Sequence, residues 1–185
     1  MTASHGMTDL TWKSVEEAFC PICHAIVGAT DGIDPIRIKC HRCGERSYER
    51  AFCSWMAEHK LSTEEAACVA GYMRKHPDFT PSFHDVKRFA RDLVSKTSRH
   101  QKTADFLNHL ADAHGLRAFW LPMQREGIAD LLGAASLVDR DDLMTMLEAC
   151  VSSGLLERPQ GLSIQVNIPQ HVWTEFLKRP LPSTA

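Results

Sequence analysis

"CPICH" at residues 20–24 and "CHRCG" at 40–44 are the stretches that decide how this chain folds. Each holds a C-x2-C pair, and sixteen residues separate Cys23 from Cys40. Two thiolates on one tight turn can reach one metal ion. A second such turn laid alongside completes a tetrahedron. The sequence between the pairs is expected to form the hairpin that brings the turns together. "AIVGA" (25–29) and "PIRIKC" (35–40) are short and apolar or alternating, and "TDGIDP" (30–35) holds the Gly, Asp and Pro of a turn. Pro21 stiffens the first turn, and Gly44 follows the second, where a left-handed backbone is commonly needed.

Zinc favours sulfur ligands and tetrahedral four-coordination. Cys20, Cys23, Cys40 and Cys43 are therefore read as the ligands of one zinc ion in a zinc ribbon. A closed four-sulfur shell leaves no position for water, so the metal is expected to be structural and not catalytic. His24 and His41 sit beside ligands and are expected to be solvent-facing neighbours, because four thiolates already fill the shell. A redox role for C-x2-C does not explain two matched pairs. The chain has seven cysteines, and Cys53, Cys68 and Cys150 are scattered singly, which is not a disulfide framework. Cys68 and Cys150 lie on apolar helical faces, where a free thiol behaves as a small hydrophobe.

The 185 residues suffice for one medium domain or two small ones. Apolar residues make up 44% and charged residues 24%, and the net charge of −2 excludes a global basic field, so any nucleic-acid surface must be local. No run of about 18 apolar residues is present, so no membrane helix is expected. The start, "MTASHGMTDL", lacks the basic and apolar regions of a secretory signal. These features, with the metal-type cysteine pattern, predict a cytoplasmic protein with no membrane partner.

The expected fold is mostly α with small β elements, in three parts. Residues 1–60 form the zinc ribbon with a following helix (47–60), after a loose terminus at 1–10. Residues 61–100 form a helical middle segment. Residues 101–185 form a winged helix-turn-helix domain. "STEE" (62–65) is a capping box that opens a helix ending before Pro77. A helix over 82–96 shows an apolar face of Val86, Phe89, Ala90, Leu93 and Val94, opposite Lys87, Arg88 and Arg91. "SKTSRHQK" (95–102) is read as a linker.

Beyond it come a helix at 102–114 closed by Gly115, a strand at 116–122, a helix at 125–135 and a helix from Asp139 closed by Gly154. "LLER", "PQG" and "LSIQVNI" read as a hairpin, and Pro169 opens a last helix to 179. Helix, strand, helix, helix, hairpin, helix is the order of a winged helix.

The helix before the hairpin is the one that usually enters the DNA major groove. Here its exposed positions include Asp139, Asp141, Asp142, Thr145, Glu148 and Ser152, with Arg140 the single cation. Residues 101–185 hold seven Lys and Arg against ten Asp and Glu. An acidic face repels phosphates, although Asp also caps a helix N-terminus favourably. Positive charge collects elsewhere. Arg37, Lys39, Arg42 and Arg46 lie around the second cysteine pair, and Lys87, Arg88 and Arg91 lie on the 82–96 helix. If the ribbon and that helix pack together, these seven form one basic face for phosphates. The alternative is a solvated face with i,i+4 support.

The chain carries no nucleophile elbow, Walker loop, dinucleotide fingerprint or H-E-x-x-H. No enzyme activity is expected. The arrangement "CPICH…CHRCG", "YERAFCSWM", "GYMRKHPDF" and "NIPQHVWTEF" resembles the zinc-ribbon-plus-winged-helix modules attached to effector domains in bacterial anti-phage proteins. There a "TPxGW"-type stop follows the wing, and "IPQHVW" approximates it with one extra residue. No effector domain follows, so the resemblance implies a separate antiviral-defence accessory factor or regulator that senses nucleic acid or a partner.

Two functions follow. One is a zinc-containing DNA- or RNA-binding regulator using the seven cations. The other is a protein-interaction adaptor that docks a partner, or dimerises, through 139–153 and Trp173.

Overall fold

The computed structural model describes residues 18–27, 34–158 and 165–179. The N-terminal ten residues, most of the "TDGIDP" turn and the "PQG" tip lie outside the described residues. The protein is mostly helical with small antiparallel sheets.

Two hairpins come first. β1 (Ala18–Phe19) pairs with β2 (Ile26–Val27), and β3 (Ile36–Cys40) pairs with β4 (Gly44–Tyr48). This corrects the expectation of one hairpin joining 25–29 to 35–40. Each cysteine turn is itself the tip of a hairpin, so each strand pairs with the strand across its own turn. In β3, Ile38 and Cys40 point inward while Arg37 and Lys39 face out. In β4, Arg46 and Tyr48 point inward. The two-residue period of a strand dictates this alternation.

The strand consumes 47–48, so α1 (Arg50–Glu58) begins later than position 47. It buries Phe52 and Met56. α2 (Thr63–Lys75) opens on the expected capping box: Glu65 N–H donates to Ser62 Oγ at 3.2 Å, and Ser62 N–H donates to Glu65 Oε2 at 2.8 Å. Glu64 and Glu65 in its first turn and Arg74 and Lys75 in its last complement the helix dipole. Residues 66–71 are all buried, which makes α2 the central rod of the molecule.

α3 (Val86–Lys96) starts four residues later than the expected 82, because 83–85 form a turn. It packs on α2 with Val86 and Ala90 buried. The expected eight-residue linker is only Thr97 and Ser98. The Ser98 side chain accepts from Gln101 N–H and starts α4 (Arg99–His114) at once.

α4 ends at Gly115, as expected, and β5 (Phe119–Trp120), α5 (Arg125–Ala134) and α6 (Arg140–Ser152) follow. β6 (Gln165–Val166) pairs with β5, and a bridge joins Glu157 to Asn167. The closing segment is a five-residue π-helical turn (Val172–Phe176) in place of a full helix over 169–179.

Two apolar cores result. The first gathers Ile22, Val27, Ile38, Tyr48, Phe52, Met56, Val69 and Met73. The second gathers Phe106, Leu107, Leu110, Leu131, Leu137, Leu147, Leu156 and Ile168. Trp173 belongs to the second core, 7% exposed with the Arg179 guanidinium 5.5 Å from its ring, so it does not offer the docking surface expected of it. α2 and α5 join the two cores through small residues. Gly71 and Gly133 lie at that contact, and Ala67 and Ala134 are buried outside either core.

Candidate metal centre

Hydrogen bonds close each cysteine turn. In the first, Cys20 N–H donates to Ala25 O and His24 N–H donates to Cys20 O, both at 2.9 Å. In the second, Cys43 N–H donates to Cys40 Sγ at 3.4 Å. The residue after each pair takes a left-handed backbone: His24 at φ 53° and Gly44 at φ 82°. The glycine accepts this conformation without a Cβ penalty, whereas His24 bears one. Sequence reading marked Gly44 and missed its counterpart, because positive φ is the default use of glycine but an uncommon one for histidine.

The strands then stack the turns face to face. Cys20 Sγ lies 3.6 Å from Cys43 Sγ, Cys23 Sγ lies 3.5 Å from Cys40 Sγ, and all four sulfurs fall within 4.8 Å of one another. A tetrahedron with metal–sulfur bonds of ~2.3 Å has edges of ~3.8 Å, so the cage has the size of one ion. Cys20 and Cys43 are fully buried, Cys40 is 3% exposed and Cys23 is part-buried.

Four thiols this close cannot all ionise without a cation. Hydrogen bonding from neighbouring thiols holds the Cys23 and Cys40 thiols below the ordinary range. The Cys20 thiol is pushed up, first by its hydrogen bond to Cys23 and then by that to Cys40, and Cys43 is pushed up by its bonds to the other three; burial adds to both. A divalent cation at the centre removes this conflict.

The buried hydroxyl of Tyr48 has no hydrogen-bond partner among the described residues. Burial, and then the charge of Cys20, Cys43 and Cys40, drive its acidity far down. A neutral phenol beside thiolates fits a metal-bound sulfur cluster. The four residues present thus suit a metal ion held in a closed sulfur shell.

The histidines beside the ligands differ from each other. His41 is exposed, with Nε2 3.9 Å from Glu126. His24 is part-buried, its Nε2 has no partner among the described residues, and burial and then Lys60 push its pKa down.

The seven cations expected to meet phosphates are divided by the structure. Arg46 is only 9% exposed, and its guanidinium donates to Met73 O and Glu45 O, with a longer bond of 3.4 Å to His76 O. Arg42 is part-buried and donates to Leu137 O. Arg37 pairs with Glu45, Arg88 with Asp85 at 2.7 Å, and Arg91 lies 3.8 Å from Glu65. Lys87 Nζ sits 5.8 Å from the Trp55 ring, and Lys39 is exposed on β3.

Reading the sequence also missed Arg74. It donates to His41 O at 2.7 Å and to Asp130 Oδ1 at 2.6 Å, tying the second cysteine turn to α5. Its place in the last turn of α2 shows a dipole-matched cation and nothing of this reach. Cys68 and Cys150 are buried as expected, and burial pushes the Cys150 thiol up to about 11. Comparison of the chain with protein-family models, curated proteins and solved structures returns no match.

Proposed function

We propose that this is a zinc-containing nucleic-acid-binding protein in which a zinc ribbon supports a winged helix-turn-helix, and that it binds without turnover. The four-sulfur cage supports zinc because tetrahedral thiolate coordination is the chemistry zinc prefers. The order of α4, β5, α5, α6 and the β5–β6 pairing support the winged helix.

The observation that carries the reading is how α6 uses its acids. Asp139 accepts from Asp142 N–H at 2.9 Å, and Asp142 accepts from Val138 N–H at 3.0 Å, so both carboxylates sit on the positive end of the helix. Glu148 is matched by Arg158 at 2.8 Å. Of the four acids that argued against phosphate contact, Asp141 alone is left exposed with no described partner.

Beside it, a cleft of about 380 Å³ is lined by Arg99, Lys102, Thr97 and Thr145 together with Glu64 and Asp142. Arg99 and Arg140 are exposed and have no ion-pair partner among the described residues. Phosphate contacts therefore come from Arg99, Lys102 and Arg140, supplemented by Lys39, Arg37, Lys87, Arg88 and Arg91. Arg42 and Arg46 serve the fold.

The test is salt-titrated binding to duplex and single-stranded DNA and RNA. Affinity falls with salt, and Arg99→Glu with Lys102→Glu lowers the slope of log K against log salt by about 0.7–0.9 for each phosphate the variant no longer neutralises. No binding to any of these at 50 mM salt overturns the reading.

A second reading, the protein-interaction adaptor, is favoured by large apolar side chains at the surface. Phe19 and Ile26, cross-strand partners, are 53% and 38% exposed, and Trp120 is 54% exposed. It predicts a dimer or a stable complex by light scattering that Trp120→Ala weakens.

A further inference from the structure

We propose that the second cysteine turn is the joint between the two halves of the molecule, so that metal occupancy sets how firmly the C-terminal half is held. This rests on the reading of the four thiols as a metal centre. It does not depend on nucleic-acid binding.

Only His41 and Arg42 lie between Cys40 and Cys43, and the side chains of both reach the C-terminal half, His41 Nε2 lying 3.9 Å from Glu126 and Arg42 donating to Leu137 O. The His41 carbonyl accepts from Arg74, whose other guanidinium nitrogen donates to Asp130. Asp130 Oδ2 is in turn 2.8 Å from His109 Nε2. One hydrogen-bonded chain thus runs from the metal-binding turn through α2 to α5 and α4.

The Arg42 side chain completes a second link. It donates to Leu137 O, just past the end of α5. That end is tightly shaped. Ser136 is buried at φ 54°, Leu137 N–H donates to Leu132 O at 2.9 Å, and Ser136 crowds Gly71 of α2.

The third link is steric. Gly133 faces the Arg42 backbone, and a Cβ there would fall well inside contact distance of the Arg42 carbonyl oxygen and 2.9 Å from Arg74 Cδ. The turn is wedged between the end of α2 and the end of α5. Its backbone direction at residues 41 and 42 is fixed because the residues on both sides of the pair are ligands to one ion. Without the ion, Cys40 and Cys43 no longer constrain those two carbonyls, and all three links lose their anchor. Coupling of this kind is reciprocal, so loosening the joint from the far side must weaken metal retention.

The test uses the full chain, loaded with one zinc or stripped by a chelator under reducing conditions, and reads amide hydrogen exchange by mass spectrometry. Stripping accelerates exchange at residues 131–137 as well as at 20–27 and 36–48, and leaves the middle of α6 (143–150) protected. In the reciprocal arm, Arg42→Ala and Asp130→Ala are checked for native circular dichroism, and zinc transfer to a colorimetric chelator is timed. Both variants release zinc several-fold faster than the parent. Gly133→Ala does the same if it folds, and the other two variants carry the test if it does not.

A chain that binds one zinc but shows unchanged exchange at 131–137 after stripping, with parental release rates in both variants, overturns the joint alone. A chain that takes up no zinc overturns the metal reading and the joint with it.

Discussion

Arg46 faces the core because it falls on the inward side of β4, two residues from Gly44 and two from Tyr48. A guanidinium in that position needs acceptors, and the carbonyls of Glu45, Met73 and His76 supply them. Two of these carbonyls close the C-terminal end of α2, where backbone acceptors otherwise lack intrahelical partners. Arg46→Ala is expected to destabilise the protein by about 1.5–3 kcal/mol, the range for hydrogen bonds to a charged group. Thermal unfolding of the metal-loaded protein should show a Tm lower by several degrees. Lys39→Ala, on the outward side of β3, should stay within about 0.5 kcal/mol of the parent. Two neighbouring cations of the same basic cluster thus separate by the parity of their strand positions.

At the scale of the element, α6 shows how acids can be structural without being repulsive. Asp139 and Asp142 satisfy backbone donors at the start of the helix, in the region of its positive dipole. Asp139→Ala is expected to cost about 1 kcal/mol, measured by urea unfolding. Asp141→Ala should leave stability within about 0.5 kcal/mol, because no described partner holds it. Under the proposed function it should also tighten nucleic-acid binding, by removing the exposed carboxylate beside Arg140. Unchanged affinity in that variant would argue that α6 does not approach phosphate. The same logic of local satisfaction explains the short hinge between α3 and α4. Ser98 caps α4 immediately, and a polar run that reads as linker becomes a helical turn.

For the whole molecule, the ion-pair network across the α2–α5 contact makes stability depend on pH. The hydrogen bond from His109, and then the Arg74 charge, hold the Asp130 carboxyl below its ordinary range. A carboxyl with a depressed folded pKa contributes stability that is present above its unfolded value of ~3.9 and is lost as pH falls through the folded one. Asp130→Asn should therefore be less stable than the parent at pH 7, and the gap should narrow as pH is lowered from 5 toward 3. Denaturant midpoints of both proteins across that range check this, and a gap constant with pH would refute it. Metal retention follows the same direction, since thiolate ligands compete with protons. Replacing Cys20, which is fully buried, by Ser should abolish stoichiometric metal and loosen the first core, read by elemental analysis and near-ultraviolet circular dichroism.

The four cysteines that the fold gathers were legible from spacing alone, because C-x2-C forces two thiols onto one turn whatever surrounds it. Helices whose signals are local were legible too: the Ser62–Glu65 box, the cap at Asp139 and the stop at Gly115 each act within four residues. What tertiary structure alone decided was pairing and partnership. The hairpins formed across the cysteine turns and not between them, since backbone hydrogen bonding rewards the nearest antiparallel neighbour. Arg42, Arg46 and Arg74 found carbonyl partners 27 to 95 positions away in the chain, and no local pattern encodes a contact at that separation. The charge of a side chain can be read from sequence, but whether it meets water, phosphate or another part of the same chain depends on which surfaces the fold brings together.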